Sequence, residues 1–192
     1  MSRPTQKQKR DFLRFQFGKL GTHYYVAGRF ASFGALVPVA GNLLHHAVEM
    51  FLKAGLSRKH SIEELKALRH DLPKIWGQFK AHVAKRDVAH FDQVIDELHR
   101  FERIRYPDRI VKEGMEVLFS PLQGGQSSGS PTLPKYNLML EDLDHLVSVI
   151  LEESTMNPAA YFGILNESSM EALRRENKHL GAIGRVTERG HR

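Results

Sequence analysis

At 192 residues, 41% hydrophobic and 26% charged, the chain is long enough for one domain with its own core, and too ordinary in composition for a disordered or fibrous protein. It has no cysteine, which excludes disulfides and thiolate metal sites and fits a cytoplasmic setting; no apolar run reaches the ~20 residues of a membrane span, and no signal-peptide pattern opens it. The net charge of +6 is concentrated at the ends, with +5 over residues 1–19 and +4 over residues 174–192, so the body between them carries −3. Any sequence-independent attraction to nucleic acid therefore sits in the two ends, which otherwise serve solubility.

Residues 5–20 read as a basic helix in which Phe12, Leu13, Phe15 and Phe17 are packed too densely for a clean stripe. Gly21–Thr22 is expected to break it, and a second helix from His23 to Leu36 carries Tyr24, Tyr25, Phe30 and Phe33. Pro38 interrupts the path into the segment around which the chain is organised, Gly41–Leu56. On a helical wheel Leu43, Leu44, Ala47, Val48, Phe51, Leu52 and Ala54 form one arc, with Met50 on its edge. That arc is too wide for a surface helix, so this helix should run through a core. The remaining stripe holds His45, His46, Glu49 and Lys53, and Gly55 is expected to end the helix as a left-handed cap.

Ser61 and Glu64 have capping-box spacing for a short helix, and Asp71 with Pro73 should open the next, which carries Ile75, Trp76, Phe79 and Val83. Trp76, Phe79, Tyr24 and Tyr25 read as core aromatics rather than stacking platforms. Phe91, Val94, Ile95, Leu98 and Phe101 repeat at helical spacing up to Arg105, before Pro107. Residues 110–119 are expected to form a hairpin or irregular chain, and Gln123–Pro134, rich in Gly, Ser and Pro, a flexible loop. Helical order should return at Asn137, on a stripe of Met139, Leu143, Leu146, Val147 and Ile150. Asn157–Pro158 marks a further helix start, and Ser168 with Glu171 should cap a last, basic helix. The expected fold is all-α: an up-and-down bundle of about five core helices, with a basic N-terminal helix over 1–22, the bundle over 23–154 and a basic, helical C-terminal extension over 155–192.

The segments His46-Ala47-Val48-Glu49 and Phe51-Leu52-Lys53-Ala54, His70-Asp71-Leu72, and Arg103-Ile104-Arg105-Tyr106-Pro107-Asp108 resemble, in that order, the signature elements of HEPN domains, the last that of an Arg-x-Arg-Tyr-Pro-Asp branch. The resemblance covers roughly residues 23–152. It implies a four- or five-helix bundle, often a homodimer, that binds nucleotides or cuts RNA and in some members partners a nucleotidyltransferase. The RNA-cutting members carry Arg and, four to six residues on, His on a late core helix. Here His145 is the only histidine of that helix, and Leu138, Met139 and Leu140 stand where the Arg would be. Arg174 with His179 and Arg185 with His191 satisfy the spacing, but in the basic extension, where Arg and His are abundant.

Two constellations remain. Glu102 and Arg105 project into the apolar arc of the 91–105 helix, where a charge must be paired. They could pair with one another or reach Glu49 and Lys53; alternatively Arg105, Lys53 and His70 form a polar pocket for an anion such as a nucleotide phosphate. His45, His46 and Glu49 have spacing that could hold a metal. Adjacent histidines on a helix point about 100° apart, however, so only His45 and Glu49 share a row, and further ligands would have to come from His70 or elsewhere. The plainer expectation for this stripe is one that faces solvent or a dimer partner. The candidate ligand-binding residues are thus Glu49, Lys53, His70 and Glu102 with Arg105, joined through the resemblance by Asp71, Arg103 and Tyr106. No catalytic residue, metal ligand or cofactor is assigned. The expected function is a non-catalytic HEPN-like nucleotide- or nucleic-acid-binding module; the alternatives are a metal-independent RNase of toxin type and a metal-binding helical-bundle enzyme.

Overall fold

The computed structural model describes residues 5–120 and 133–179, apart from the side chains of 118–120. The expected loop at Gln123–Pro134 falls mostly outside the described residues, as does the Arg185–His191 pair. The fold is an all-α bundle with one small two-stranded sheet among the described residues.

Helix α1 (Gln6–Phe33) opens on a capping box between Thr5 and Gln8 and runs for 28 residues, roughly 42 Å at 1.5 Å per residue. The expected break at Gly21–Thr22 does not occur. Thr22 Oγ1 donates back to the Gly18 carbonyl at 3.0 Å, and the glycines serve close approach instead. A Cβ at Gly21 would lie 2.8 Å from the Phe51 ring, and one at Gly28 2.6 Å from Leu44 Cγ. These contacts pair rising numbers on one helix with falling numbers on the next, so α1 and α2 (Val37–Leu56) form an antiparallel hairpin, the most extensive helix–helix contact of the fold. As its arc requires, α2 runs through the core: Leu44, Ala47, Val48, Phe51, Leu52 and Ala54 are wholly buried. Gly55 is not its cap. The helix continues to Leu56 and ends at Ser57 in right-handed conformation, while Gly55 lets the Phe79 ring approach to 2.9 Å of where a Cβ would stand.

The caps expected for α3 (Ile62–Ala67) and α4 (Leu72–His82) are present: Ser61 and Glu64 exchange capping-box hydrogen bonds, and Asp71 accepts from the Lys74 N–H at 3.1 Å. A 3-10 turn leads into α5 (Asp92–Arg100), after which the chain tightens into a second 3-10 turn over Phe101–Ile104 rather than continuing as α-helix to Arg105. α6 (Pro107–Glu113) occupies part of the stretch expected as hairpin or irregular chain. Strands β1 (Glu116–Ser120) and β2 (Lys135–Met139) then pair in parallel, Val117 opposite Tyr136. The strand displaces the helix expected from Asn137, so α7 begins at Leu140 and ends at Glu153.

α8 (Pro158–Phe162) starts where Asn157–Pro158 places it. α9 (Glu167–Arg174) is capped by Asn166, which accepts from the Ser169 N–H, and not by Ser168. Both pack on α1, and Phe162 and Leu173 belong to the same core as α2 and α7.

Candidate functional site

The polar stripe of α2 is buried rather than turned to solvent. His45 and Glu49 have no exposed surface and Lys53 almost none. Glu49 Oε1 accepts from Lys53 Nζ at 2.7 Å, the four-residue pair expected on a helix. Lys53 Nζ also donates to the Arg69 carbonyl at 2.7 Å, which the left-handed backbone of Arg69 (φ 51°) turns toward it. The same turn puts His70 at the rim, its Nδ1 2.9 Å from Glu49 Oε2 and its side chain 54% exposed. His46 Nδ1 lies 3.5 Å from that oxygen. Burial pushes the Glu49 carboxyl up, but the hydrogen bonds from His46, Lys53 and His70 outweigh it and hold the group at about 2. Glu49 is therefore a buried carboxylate. Lys53 directs two of its three donors to Glu49 and Arg69 and is almost wholly buried, so its ammonium turns inward rather than toward solvent, where a phosphate would meet it.

His45 extends this cluster inward. Its Nδ1 faces the Leu98 carbonyl at 3.4 Å, while its Nε2 is buried with no hydrogen-bond partner. Burial lowers its pKa to about 4, so the ring is neutral at physiological pH. His99 stacks on it at 5.7 Å between centroids, His46 stands edge-on at 5.5 Å, and His70 follows His46 at 5.6 Å, making a row of four imidazoles. Ligand atoms of His45, His46 and Glu49 all lie within 4.8 Å of one another, and among the described residues this is the group that could hold a metal ion. His46 thus joins His45 and Glu49, although the helical wheel puts only the latter two in one row. His46 swings toward Glu49 one turn away, where Tyr24 packs against its ring at 5.5 Å.

Other predicted ligand residues lie elsewhere. The 3-10 turn carries Arg105, which follows it, off the apolar face and leaves it 45% exposed, whereas Glu102 stays partly buried with its Oε2 enclosed; the two pair with one another at 3.5 Å. Neither forms an ion pair with Glu49 or Lys53 among the described residues, so the expected network joining three helices is absent there. Asp71 uses Oδ1 to cap α4. Tyr106 is 67% exposed. Arg103 alone of the predicted residues enters an open groove of about 370 Å³, lined also by Arg100, Arg109, Lys135, Glu113, Pro134 and Tyr136. The sequence holds part of its signal, since Arg100 and Arg103 stand three apart. Lys135 is added only by the parallel pairing of β2 with β1.

Two further polar groups lie apart from these positions, the first of them not foreseen from the sequence. Arg29, wholly buried on α1, donates from Nη1 to Asp144 Oδ2 on α7, from Nε to the Ala172 carbonyl at 2.8 Å, and from Nη2 to the Arg175 carbonyl. The Tyr25 hydroxyl donates to the other Asp144 oxygen and accepts from Asn177 Nδ2 at 3.0 Å. Burial raises the Asp144 carboxyl above its ordinary range despite Arg29. The second group lies on the solvent side of α7, where His145 stacks on His179 at 4.4 Å and His179 Nε2 is 3.2 Å from Glu141 Oε1. His145 thus keeps the outward position read from the wheel, with His179 beside it. Among the described residues no helix is long and apolar enough to cross a membrane. Compared with known protein families, curated proteins and solved structures, the chain matches none.

Proposed function

We propose that the chain is a cytoplasmic HEPN-like module that binds a nucleotide or nucleic acid and works as a homodimer, with a nucleotidyltransferase as the kind of partner the resemblance implies. The observation that carries the binding reading is the groove at the α5–α6 and β2 edge, where Arg100, Arg103 and Arg109 gather beside Glu113, with Lys135 of β2 also on its lining. Arginine forks suit phosphate oxygens because two parallel N–H groups meet two oxygens at once. Arg100, Arg103 and Arg109 are exposed, so a ligand meets them without unfolding anything. The exposed ring of Tyr106, beside Pro107 at the start of α6, offers a stacking face near the same turn.

The test is fluorescence anisotropy with ATP and with a short single-stranded RNA, at two salt concentrations. The wild type should bind with affinity that falls as salt rises, and Arg103→Glu and Arg109→Glu should each lower the salt slope by roughly 1 or more. Binding that both variants leave unchanged would place the contact in the basic ends and overturn the groove reading. In the same samples, with metal chelated, the RNA should stay intact. Cleavage lost in His179→Ala would instead favour the metal-independent RNase, with the His145–His179 stack as its centre.

A further inference from the structure

The buried row on α2 is not absorbed by the groove, with which it shares no lining residue. We propose that His45, His46 and Glu49 form a binding site for one divalent transition-metal ion of the zinc, nickel or iron(II) class. Their ligand atoms already lie within 4.8 Å of one another, and ligands 2.0–2.2 Å from a tetrahedral ion stand about 3.4 Å apart, so side-chain adjustment of about an ångström closes the site.

The donor set is two imidazoles and one carboxylate, which selects this class of ion over calcium or magnesium, whose sites are built of oxygen. His45 supplies the second observation. It is wholly buried, its Nδ1 faces the Leu98 carbonyl, and its Nε2 has no partner. A backbone carbonyl on one ring nitrogen holds the proton there and leaves the other nitrogen as a lone pair, which is how protein-bound histidine ligands are held. An unpartnered nitrogen in the core costs stability, and an ion removes that cost.

Glu49 divides its two oxygens between tasks. Lys53 occupies Oε1, which leaves Oε2, the oxygen His46 and His70 face, for the ion. His70, half-exposed at the rim, gives the ion a path from solvent and orients the carboxylate from outside. Three protein ligands leave at least one coordination position for water or a ligand oxygen, the arrangement of metal sites that act rather than merely brace.

The experiment uses the full chain, stripped with a chelator and titrated with zinc(II) by calorimetry. One equivalent should bind. His46→Gln and Glu49→Gln should each weaken binding more than the roughly 10–100-fold that loss of an outer partner costs. A variant with His90, His145 and His179 all replaced by Gln should bind as the wild type does. No stoichiometric uptake, uptake unchanged in both ligand variants, or uptake lost in the triple variant would each overturn the site. Should a ligand variant fail to fold, the wild type answers alone. Cobalt(II) should broaden the imidazole NMR signals of His45 and His46 first, and broadening that begins at other histidines refutes the assignment.

Discussion

Arg29→Met removes the cation from the most deeply buried ion pair among the described residues while keeping most of the apolar stem. Asp144 is left with the Tyr25 hydroxyl as its donor, and the carbonyls of Ala172 and Arg175 lose theirs. Breaking a buried pair from one side costs about 3–5 kcal/mol, and an orphaned buried carbonyl about 1–3 kcal/mol. The Arg175 carbonyl is only partly buried and can turn to water, and contributions within one network do not add. We therefore expect a loss of about 4 kcal/mol at pH 7, a large part of the total for a domain, and a fall in Tm of roughly 8–16 °C. The deficit should depend on pH with a definite sign. Burial already raises the Asp144 carboxyl, and without Arg29 it rises further. A raised carboxyl favours the fold while protonated and costs stability as pH rises through its folded pKa. The gap between wild type and Arg29→Met should thus be widest near neutrality and narrow as the medium is acidified toward pH 4. Arg29→Met/Asp144→Leu, with no buried charge left, should recover part of the loss. Urea unfolding followed by circular dichroism between pH 4 and 7.5 measures all three. A deficit below about 1 kcal/mol, or one that does not change with pH, would refute the reasoning.

Glu49 gives the opposite limb. Held at about 2 against an ordinary 4.5, its carboxylate contributes stability that is present above pH 4.5 and lost as pH falls toward 2, about 3 kcal/mol in all; acid unfolding of Glu49→Gln should lack that component. Phe12, Leu20 and Phe30 on α1, with Leu36 and Val39 at its far end, leave large apolar groups on the surface. Light scattering should report a dimer at high micromolar concentration, and a monomer there would remove the homodimer from the proposal.

Much of the fold was legible because its signals are local. The arc of α2, the capping box at Ser61 and the Asp71 and Asn157 caps each depend on residues within one or two turns, and each stands where the pattern puts it. The errors are those in which a distant neighbour overrides a local preference. Gly21 with Thr22 reads as a break in the helix until Phe51 is seen to need the space beside it. Asn137–Met139 looks helical by its apolar spacing, and belongs to a strand because β1 lies beside it. For the candidate site, the wheel showed that Glu49 and Lys53 pair and that His145 faces out. It could not show that the stripe of α2 is covered, since Leu98, Arg69 and His70, which cover it, arrive from other parts of the chain. Arg105 was misplaced for a simpler reason: three residues per turn instead of 3.6 rotates a side chain off the face assigned to it, while the pairing of Glu102 with Arg105 stands as one of the two arrangements the spacing allowed.

The Arg29 anchor also bears on how the chain is made. Its acid, Asp144, lies 115 residues downstream, and the carbonyls it binds lie 143 and 146 residues downstream. At the usual 5–20 residues per second of synthesis, α1 waits roughly 6–23 s after Arg29 is joined before Asp144 is even added. Throughout that interval the α1–α2 hairpin can form, yet it carries an uncompensated guanidinium on the face that α7 and α9 will cover. The charge keeps that face wet and discourages it from closing on the wrong apolar segment. The last stretch of the bundle thereby sets the moment at which the first becomes fully buried.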